Sequence, residues 1–309
     1  MESKIRSVLF ELGFIETGFL NRGDARFEDW MEPWLSKGYH AEMKWLENNR
    51  FIRVDPCSIL NEGRSVITMA YRYGTTPPKK WGQKNPISNF AWGEDYHKVL
   101  KKKLKSAIEK LKSEIPGFIG RGFVDTAPLP EKVLAARSGI GWIGKNGLLI
   151  HPKHGSYLFL GEIVCNLELE STKPIEDQCG TCELCLKACP TKAIKNNRSI
   201  DAGRCLSYLT IEKRDGFNEI EEKEIGYHLF GCDICQQVCP KNKDRTPLAD
   251  SPFDCYPRWE DLDIRQICDL KEEQFQKLRE KSPLKRIKLE HLTRNAQAVV
   301  KNQSRFPDY

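Results

Sequence analysis

Eight cysteines fall in two runs whose spacing suits iron–sulfur chemistry. The first is Cys179-Gly-Thr-Cys182-Glu-Leu-Cys185-Leu-Lys-Ala-Cys189-Pro190, or C-x2-C-x2-C-x3-C-P. The second is looser: Cys205, then Cys232-Asp-Ile-Cys235-Gln-Gln-Val-Cys239-Pro240. A cubane needs four thiolates converging on one point, and x2 spacings let one tight loop supply three of them. In the two-cluster ferredoxin pattern the fourth cysteine of a run ligates the other cluster. One [4Fe-4S] cluster then takes Cys179, Cys182, Cys185 and Cys239, and a second takes Cys189, Cys205, Cys232 and Cys235. Every cysteine from 179 to 239 is used once. Zinc sites are built on paired C-x2-C, often with His, and disulfides belong to exported chains; this spacing fits neither. Cys57, Cys165, Cys255 and Cys268 are left over and read as buried or inert thiols.

Other motifs carry less. Gly139-Ile-Gly141-Trp-Ile-Gly144 has the letters of a dinucleotide fingerprint, but that motif must follow a strand and open a helix; here the order is reversed. The same stretch nearly matches a P-loop, yet Asn146 stands where Ser or Thr would bind magnesium. Its glycines are expected to let backbone approach something flat or bulky. The six histidines form no His-x3-His pair. His97, in Asp95-Tyr96-His97, is the one placed for chemistry.

The chain is long enough, at 309 residues, for two domains or one large domain with an insertion. With 39% hydrophobic and 30% charged residues it is a globular composition. The start, Met1-Glu-Ser-Lys-Ile-Arg, is charged and shows no signal peptide. No apolar run approaches the roughly 20 residues that span a bilayer. A cytoplasmic, non-membrane protein is expected, since twelve cysteines without an export signal point to a reducing compartment. The net charge of +6 allows a nucleic-acid partner without requiring one.

The elements that must hold these residues are legible in outline. Residues 4–13 put Ile5, Val8, Leu9 and Leu12 on one helical face, and a strand is expected over 14–20. A second helical region is expected over 27–48, a core strand over 66–73, and an exposed Pro/Lys/Gly loop over 75–86. Residues 96–115 predict an amphipathic helix with Leu100, Leu104, Ile108 and Leu111 inward. Lys101, Lys102, Lys103, Lys105, Lys110 and Lys112 lie on its polar side, most simply as a solvated face. A short strand over 120–124 ends at Asp125, and a helix over 129–138 has Pro130 in its first turn. Residues 146–169 read as a hairpin turning through Pro152–Gly155. Residues 205–212 read as a helix that starts on a cluster ligand. A last helix is expected from Ser282-Pro283 to about Val300, with Leu284, Ile287, Leu292 and Ala296 on one side and Lys285, Arg286, Lys288, Arg294 and Lys301 on the other. Interleaved strands and helices predict an α+β fold. It divides into an α/β domain over 1–170, a ferredoxin-type segment over 171–245 and a basic helical tail over 246–309.

Several stretches together resemble one family, epoxyqueuosine reductase, the cobalamin-dependent enzymes of queuosine-tRNA synthesis. They are Trp92–His97, Val124–Pro128, Glu131–Asn146 (with Ala135-Ala-Arg-Ser-Gly-Ile-Gly-Trp-Ile-Gly-Lys-Asn), Gly155–Glu162, Cys205–Glu212 and Gly231–Cys235, within roughly residues 50–245. The resemblance implies a corrinoid-binding domain akin to reductive dehalogenases, fused to a two-[4Fe-4S] module. It implies cobalamin as the further cofactor and tRNA carrying epoxyqueuosine as the substrate, with a separate low-potential electron donor and a monomeric enzyme. Many members carry a C-terminal helical-repeat domain, so this chain would be a short form. Cys57 stands where a basic residue is expected, which leaves that position without a role.

The resemblance also assigns residues. Asp125 is the expected proton donor to the opening epoxide, a role that needs burial to raise its pKa; from the sequence alone it equally suits a cap for the helix starting near Leu129. The expected cofactor contacts are Asp125, Pro130, Leu149, Leu160, Ile163, Ser207, Tyr208 and His97. The chain has no Asp-x-His-x-x-Gly, so no such histidine would ligate cobalt, favouring reduction to a nucleophilic state. Lys285, Arg286, Lys288 and Arg294 are the expected tRNA contacts, with residues 101–112 in support. The alternatives are a dehalogenase-like corrinoid enzyme acting on a small molecule, and a ferredoxin-like electron carrier.

Overall fold

The structure, a computed structural model, describes residues 1–74, 86–243, 248, 251–260 and 263–305. The loop expected over 75–86 lies, apart from Pro86, outside the described residues.

Helix α1 (Glu2–Glu11) buries Ile5, Val8 and Leu9, as its spacing requires. Strands β1 (Glu16–Asn21) and β2 (Ser65–Arg72) follow. Helix α2 (Tyr96–Glu114) starts where the Asp95 carboxylate accepts the His97 backbone N–H, and it buries Leu100, Leu104, Ala107 and Leu111. Each such leucine contributes about 1.5–3 kcal/mol relative to exposure. Next come β3 (Gly120–Phe123), α3 (Glu131–Arg137), β4 (Trp142–Ile143), β5 (Leu149–Ile150) and β6 (Leu158–Cys165). Helix α4 (Leu206–Ile211) follows Cys205, and α5 (Leu289–Arg305) closes the described chain.

The main sheet is antiparallel in the order β1-β2-β6-β3. Side chains alternate across it. One face packs Phe19, Ile67, Met69 and Ile163 against α1 and α2. The other carries Leu20, Val66, Ala70, Leu160 and Val164 toward α3. Glu162 lies between Leu160 and Val164 on that second face, opposite Thr68 of β2 and Phe123 of β3.

Three expected elements differ. Over 27–48 the chain forms only a short helix (Glu32–Leu35) and a 3-10 turn (Lys44–Glu47), because Gly38 and Ala41 take left-handed conformations that break a helix. The hairpin over 146–169 does not form. β5 pairs with β4 in a separate two-stranded sheet, while β6 pairs with β2 and β3. A His151–Gly155 bridge closes the tight turn between them. The last helix is broken: a 3-10 turn (Pro283–Arg286) ends at an extended Ile287, which lets Leu284 and Ile287 both bury before α5 begins.

Gly139 and Gly141 do serve close approach, but to the chain itself. A Cβ at Gly139 would lie 2.3 Å from the Lys173 carbonyl, and one at Gly141 would lie 2.2 Å from that of Ile150.

The segment after residue 246 packs inward. Trp259, Ile267, Phe275, Leu284, Ile287, Leu292 and Ala296 share a core with Ile87, Ala91, Trp92, Leu229 and Phe230. It therefore clamps the loop ahead of α2 against the cysteine-rich segment.

Candidate functional site

The cysteines separate into two quartets. Cys179, Cys182, Cys185 and Cys239 line a small hollow of about 80 Å³ together with Trp142. Cys189, Cys205, Cys232 and Cys235 line a cavity of about 540 Å³. This is the division expected from the spacing. All eight are free thiols. Among the described residues no three His, Cys, Asp or Glu side chains are grouped to hold a single metal ion. A quartet spread around a shared volume suits a cluster instead, and the Trp142 indole N–H donates to Cys179 Sγ at 3.4 Å, the kind of bond that sets a cluster's potential. Cys205 is the N-cap residue of α4 without a side-chain cap bond; burial raises its thiol pKa, and the nearby amides of Tyr208 and Ser207 work against that.

The larger cavity lies where the start of β6 meets the cysteine segment. Leu148, Leu158, Phe159, Leu160, Ile194 and Ile200 give it apolar walls, and among the described residues no histidine lines it. Asp125, Glu131 and Lys132 enter from one side.

Asp125 follows β3 in a left-handed conformation, φ 55°, which Asp tolerates better than most residues. Its Oδ2 accepts from His97 Nε2 at 2.9 Å and from Arg286 Nη1 at 2.8 Å. His97 Nδ1 is 2.8 Å from Asp95 Oδ1. A carboxylate on each ring nitrogen favours the imidazolium form of His97. Burial alone would lower its pKa; the bonds to Asp125 and Asp95 overcome that and raise it. For Asp125, burial pushes up, but His97 and Arg286 prevail and hold the carboxyl below its usual value. The expected raised pKa is thus corrected. So is the cap reading: α3 starts at Glu131 after an N-cap Pro130, with no side-chain cap bond. Burial, with Asp125 nearby, pushes the Tyr96 phenol up, and its ring stacks on His97 and Phe159.

Behind Asp125 lie two further carboxyls. Glu131 accepts the Asp125 backbone N–H. Burial first, then the Asp125 charge, raise its pKa to about 7. Glu162 is fully buried and is raised well above its usual value by burial and by Glu131.

Of the expected cofactor contacts, Asp125, Leu160 and Ser207 line the cavity, and His97 stands behind Asp125. The others lie elsewhere. Ile163 alternates onto the α2 face of the sheet. Leu149 is packed under Leu160, and its neighbour Leu148 reaches the cavity instead. Pro130 is buried at the start of α3. Tyr208 is buried among Leu206, Leu209 and Val299, and its hydroxyl accepts the Glu42 N–H at 3.1 Å. Sequence reasoning missed Glu131, Lys132, Tyr96 and Glu162 as site residues, although all four lie within the family-like stretches.

The basic residues also divide. Lys285 and Lys288 are exposed. Arg286 is turned to Asp125 and Glu212. Arg294 donates to the carbonyls of Leu209, Lys213 and Asp215 and lies over the Phe217 ring, so it staples helices rather than facing a partner. On α2, Lys103 donates to the Leu12 carbonyl, and Lys110 pairs with Glu11. Lys101 reaches Thr126 beside Asp125. Cys57 and Cys165 are buried, with burial pushing their thiols to about 12 and about 11. No helix is long and apolar enough to cross a membrane among the described residues.

Residues 178–242 match the family described as 4Fe-4S double cluster binding domain. Residues 53–126 match the family described as Epoxyqueuosine reductase QueG, DUF1730. The epoxyqueuosine reductase of Leadbetterella byssophila is 40% identical over 299 residues, covering 94% of this chain and 96% of that protein. A crystal structure of epoxyqueuosine reductase with an epoxyqueuosine-modified tRNA-Tyr stem loop superposes with TM-score 0.87 at 27% identity, covering 97% of this chain and 81% of the other. The Bacillus subtilis epoxyqueuosine reductase, in a structure whose catalytic aspartate loop is swung out of the active site, gives TM-score 0.86 at 27% identity over 99% of this chain and 83% of its own. With two cysteine quartets, an aspartate facing the cavity beside one of them, and this identity along nearly its whole length, the chain belongs to the epoxyqueuosine reductase family.

Proposed function

We propose that this protein reduces epoxyqueuosine to queuosine in the anticodon loop of tRNA. One epoxide, two electrons and two protons become an alkene and water. The observation that carries the reading is that Asp125 and the quartet Cys189, Cys205, Cys232 and Cys235 face one cavity. An electron source and a proton source thus address the same space.

The cavity fits cobalamin: much of its wall is apolar, and among the described residues that line it none is a histidine. Bound there, it would supply a strongly nucleophilic low-valent metal. Leu148, Leu158, Phe159 and Leu160 would hold its faces by apolar contact, with Ser207 on the cluster side.

The chain's own residues manage the proton. At rest it sits on His97, within hydrogen-bond distance of Asp125. A substrate base filling the cavity excludes water, and an ionised carboxylate loses solvation there. Asp125 then takes the proton from His97 Nε2 and passes it to the alkoxide that ring opening creates. Arg286 limits how far the carboxylate moves and steadies its charge afterwards. The relative with a displaced aspartate loop supports a mobile Asp125 loop.

Residues 1–170 carry catalysis, 171–245 electron transfer, and 246–309 the support for Asp125 through Arg286. Electrons come from a separate low-potential donor in the cytoplasm and enter through the quartet beside Trp142; the enzyme works as a monomer. Lys285 and Lys288 contact tRNA phosphates. The test is to incubate the reconstituted protein with cobalamin, a strong reductant and an epoxyqueuosine-modified anticodon stem loop, then to digest the RNA and identify its nucleosides by mass spectrometry. Queuosine should appear; unchanged epoxyqueuosine rejects the function.

A further inference from the structure

Glu162 is an acid in a place that cannot hold an isolated charge. It sits mid-strand in β6, fully buried, and neither carboxyl oxygen has a hydrogen-bond partner apart from its interaction with Glu131. The groups packed around it do not neutralise it. Thr68, opposite on β2, turns its hydroxyl to Ser138 and Gly18. Phe123, opposite on β3, is apolar. Lys132 gives its ammonium to the Gly147 carbonyl. His97 and Arg286 are both turned to Asp125. His97 and Lys132 attract Glu131, but burial prevails, and two carboxylates that meet in the interior cannot both ionise readily.

Glu131 connects this buried acid to the cavity. It opens α3, lines the cavity wall and accepts the Asp125 backbone N–H. Three carboxyls therefore run from the core outward: Glu162, Glu131, Asp125.

We propose that Glu131 and Glu162 share one proton at neutral pH and that this proton recharges Asp125 within a turnover. The inference rests on the proposed reduction, which consumes two protons while the His97–Asp125 couple holds one. After the first transfer Asp125 is a carboxylate again. The pair passes a proton from Glu131 to Asp125, leaving the pair without its proton. Asp125 passes the proton on to the departing oxygen, which leaves as water. Once the product has left and water re-enters the cavity, the pair and His97 each regain a proton from solvent. The carboxyls move protons only: the pair of the breaking C–O bond leaves with the oxygen, and the two electrons of the reduction come from the low-potential donor. Glu131, raised to about 7 by burial and by Asp125, can both hold and release a proton near neutral pH.

The holoprotein tests this in two readouts. Infrared spectra at neutral pH should contain the C=O stretch of a protonated, buried carboxylic acid that is lost in Glu162→Gln, where the amide donates to Glu131 and lets it ionise. Single turnover of the modified stem loop should slow by about 10²-fold in Glu162→Gln and in Glu131→Gln, with the decline in rate above neutral pH flattened relative to wild type. An identical infrared band in Glu162→Gln overturns the shared proton whatever the activity. A lost band with an unchanged rate and pH profile overturns the relay. A wild-type protein that shows the band yet never forms queuosine removes the proposed function and the relay with it. Should Glu162→Gln fail to fold, the pH profile of Glu131→Gln decides alone, and an unaltered profile overturns the proposal.

Discussion

His97 Nε2 lies 2.9 Å from Asp125 Oδ2, and the same oxygen holds Arg286 Nη1 at 2.8 Å. In the proposed reaction the aspartate is a stored carboxylate whose proton waits one bond away on His97. This arrangement reconciles an acid that must donate with a cationic neighbourhood that favours its ionised form.

His97→Gln keeps a hydrogen-bond donor for Asp125 but has no proton to give. Single turnover should slow by about 10²-fold, while iron content and cofactor binding stay as in wild type. An unaltered rate would place the proton elsewhere.

Stability should depend on pH through Glu131 with a defined sign. Its pKa is about 7 in the fold against 4.5 as the reference value. Between those values the folded state binds more protons than the unfolded one, so stability falls as pH rises. This contribution is complete below pH 4.5 and lost through about 7. Asp125, held low in the fold, works oppositely: its contribution is present above its unfolded pKa and lost as pH falls. Melting temperatures from pH 4.5 to 7 should fall less steeply in Glu131→Gln; equal slopes would show that Glu131 titrates normally.

Both quartets should fill on anaerobic reconstitution, giving about eight iron atoms per chain. Replacing Trp142 by Phe removes the N–H donated to Cys179. That bond favours the more negatively charged, reduced cluster, so its loss should lower the potential of one cluster and leave the other in place. A potential that does not move would reduce Trp142 to packing.

The basic residues predict a contrast. Lys285→Glu with Lys288→Glu should weaken stem-loop binding and flatten its salt dependence, because phosphate contacts release counterions. Arg294→Ala should instead cost stability, on the order of 1–3 kcal/mol for its carbonyl bonds, and leave the salt slope alone. Filter binding across a salt series, paired with thermal melts, separates them. A change in salt slope in Arg294→Ala would contradict its role as a staple.

Local spacing made the cysteine quartets legible, since three ligands of the first run lie within seven residues. Helix α2 was legible from its apolar period. What depends on distant packing was not. Arg286 meets Asp125 across 161 residues, and at sequence level it read as one more base on a helix face. The Glu131–Glu162 pair exists only because β6 enters the sheet in the register that places Glu162 opposite Thr68. Ile163 lies on the opposite face of the sheet from the cavity-lining Leu160, an alternation that depends on the register of the strand. The hairpin over 146–169 failed because pairing with β4 rather than β6 leaves no trace in the local pattern.

Asp125→Asn tests the central claim most directly. Asn accepts the left-handed backbone at this position and sits far in sequence from every cysteine ligand, so folding and iron content should match wild type. It cannot carry the proton from His97 to the substrate. In single turnover with an epoxyqueuosine-modified stem loop, cobalamin and excess reductant, the variant should form queuosine about 10²- to 10⁴-fold more slowly. A wild-type rate from the fully loaded Asn variant would contradict Asp125 as the proton donor.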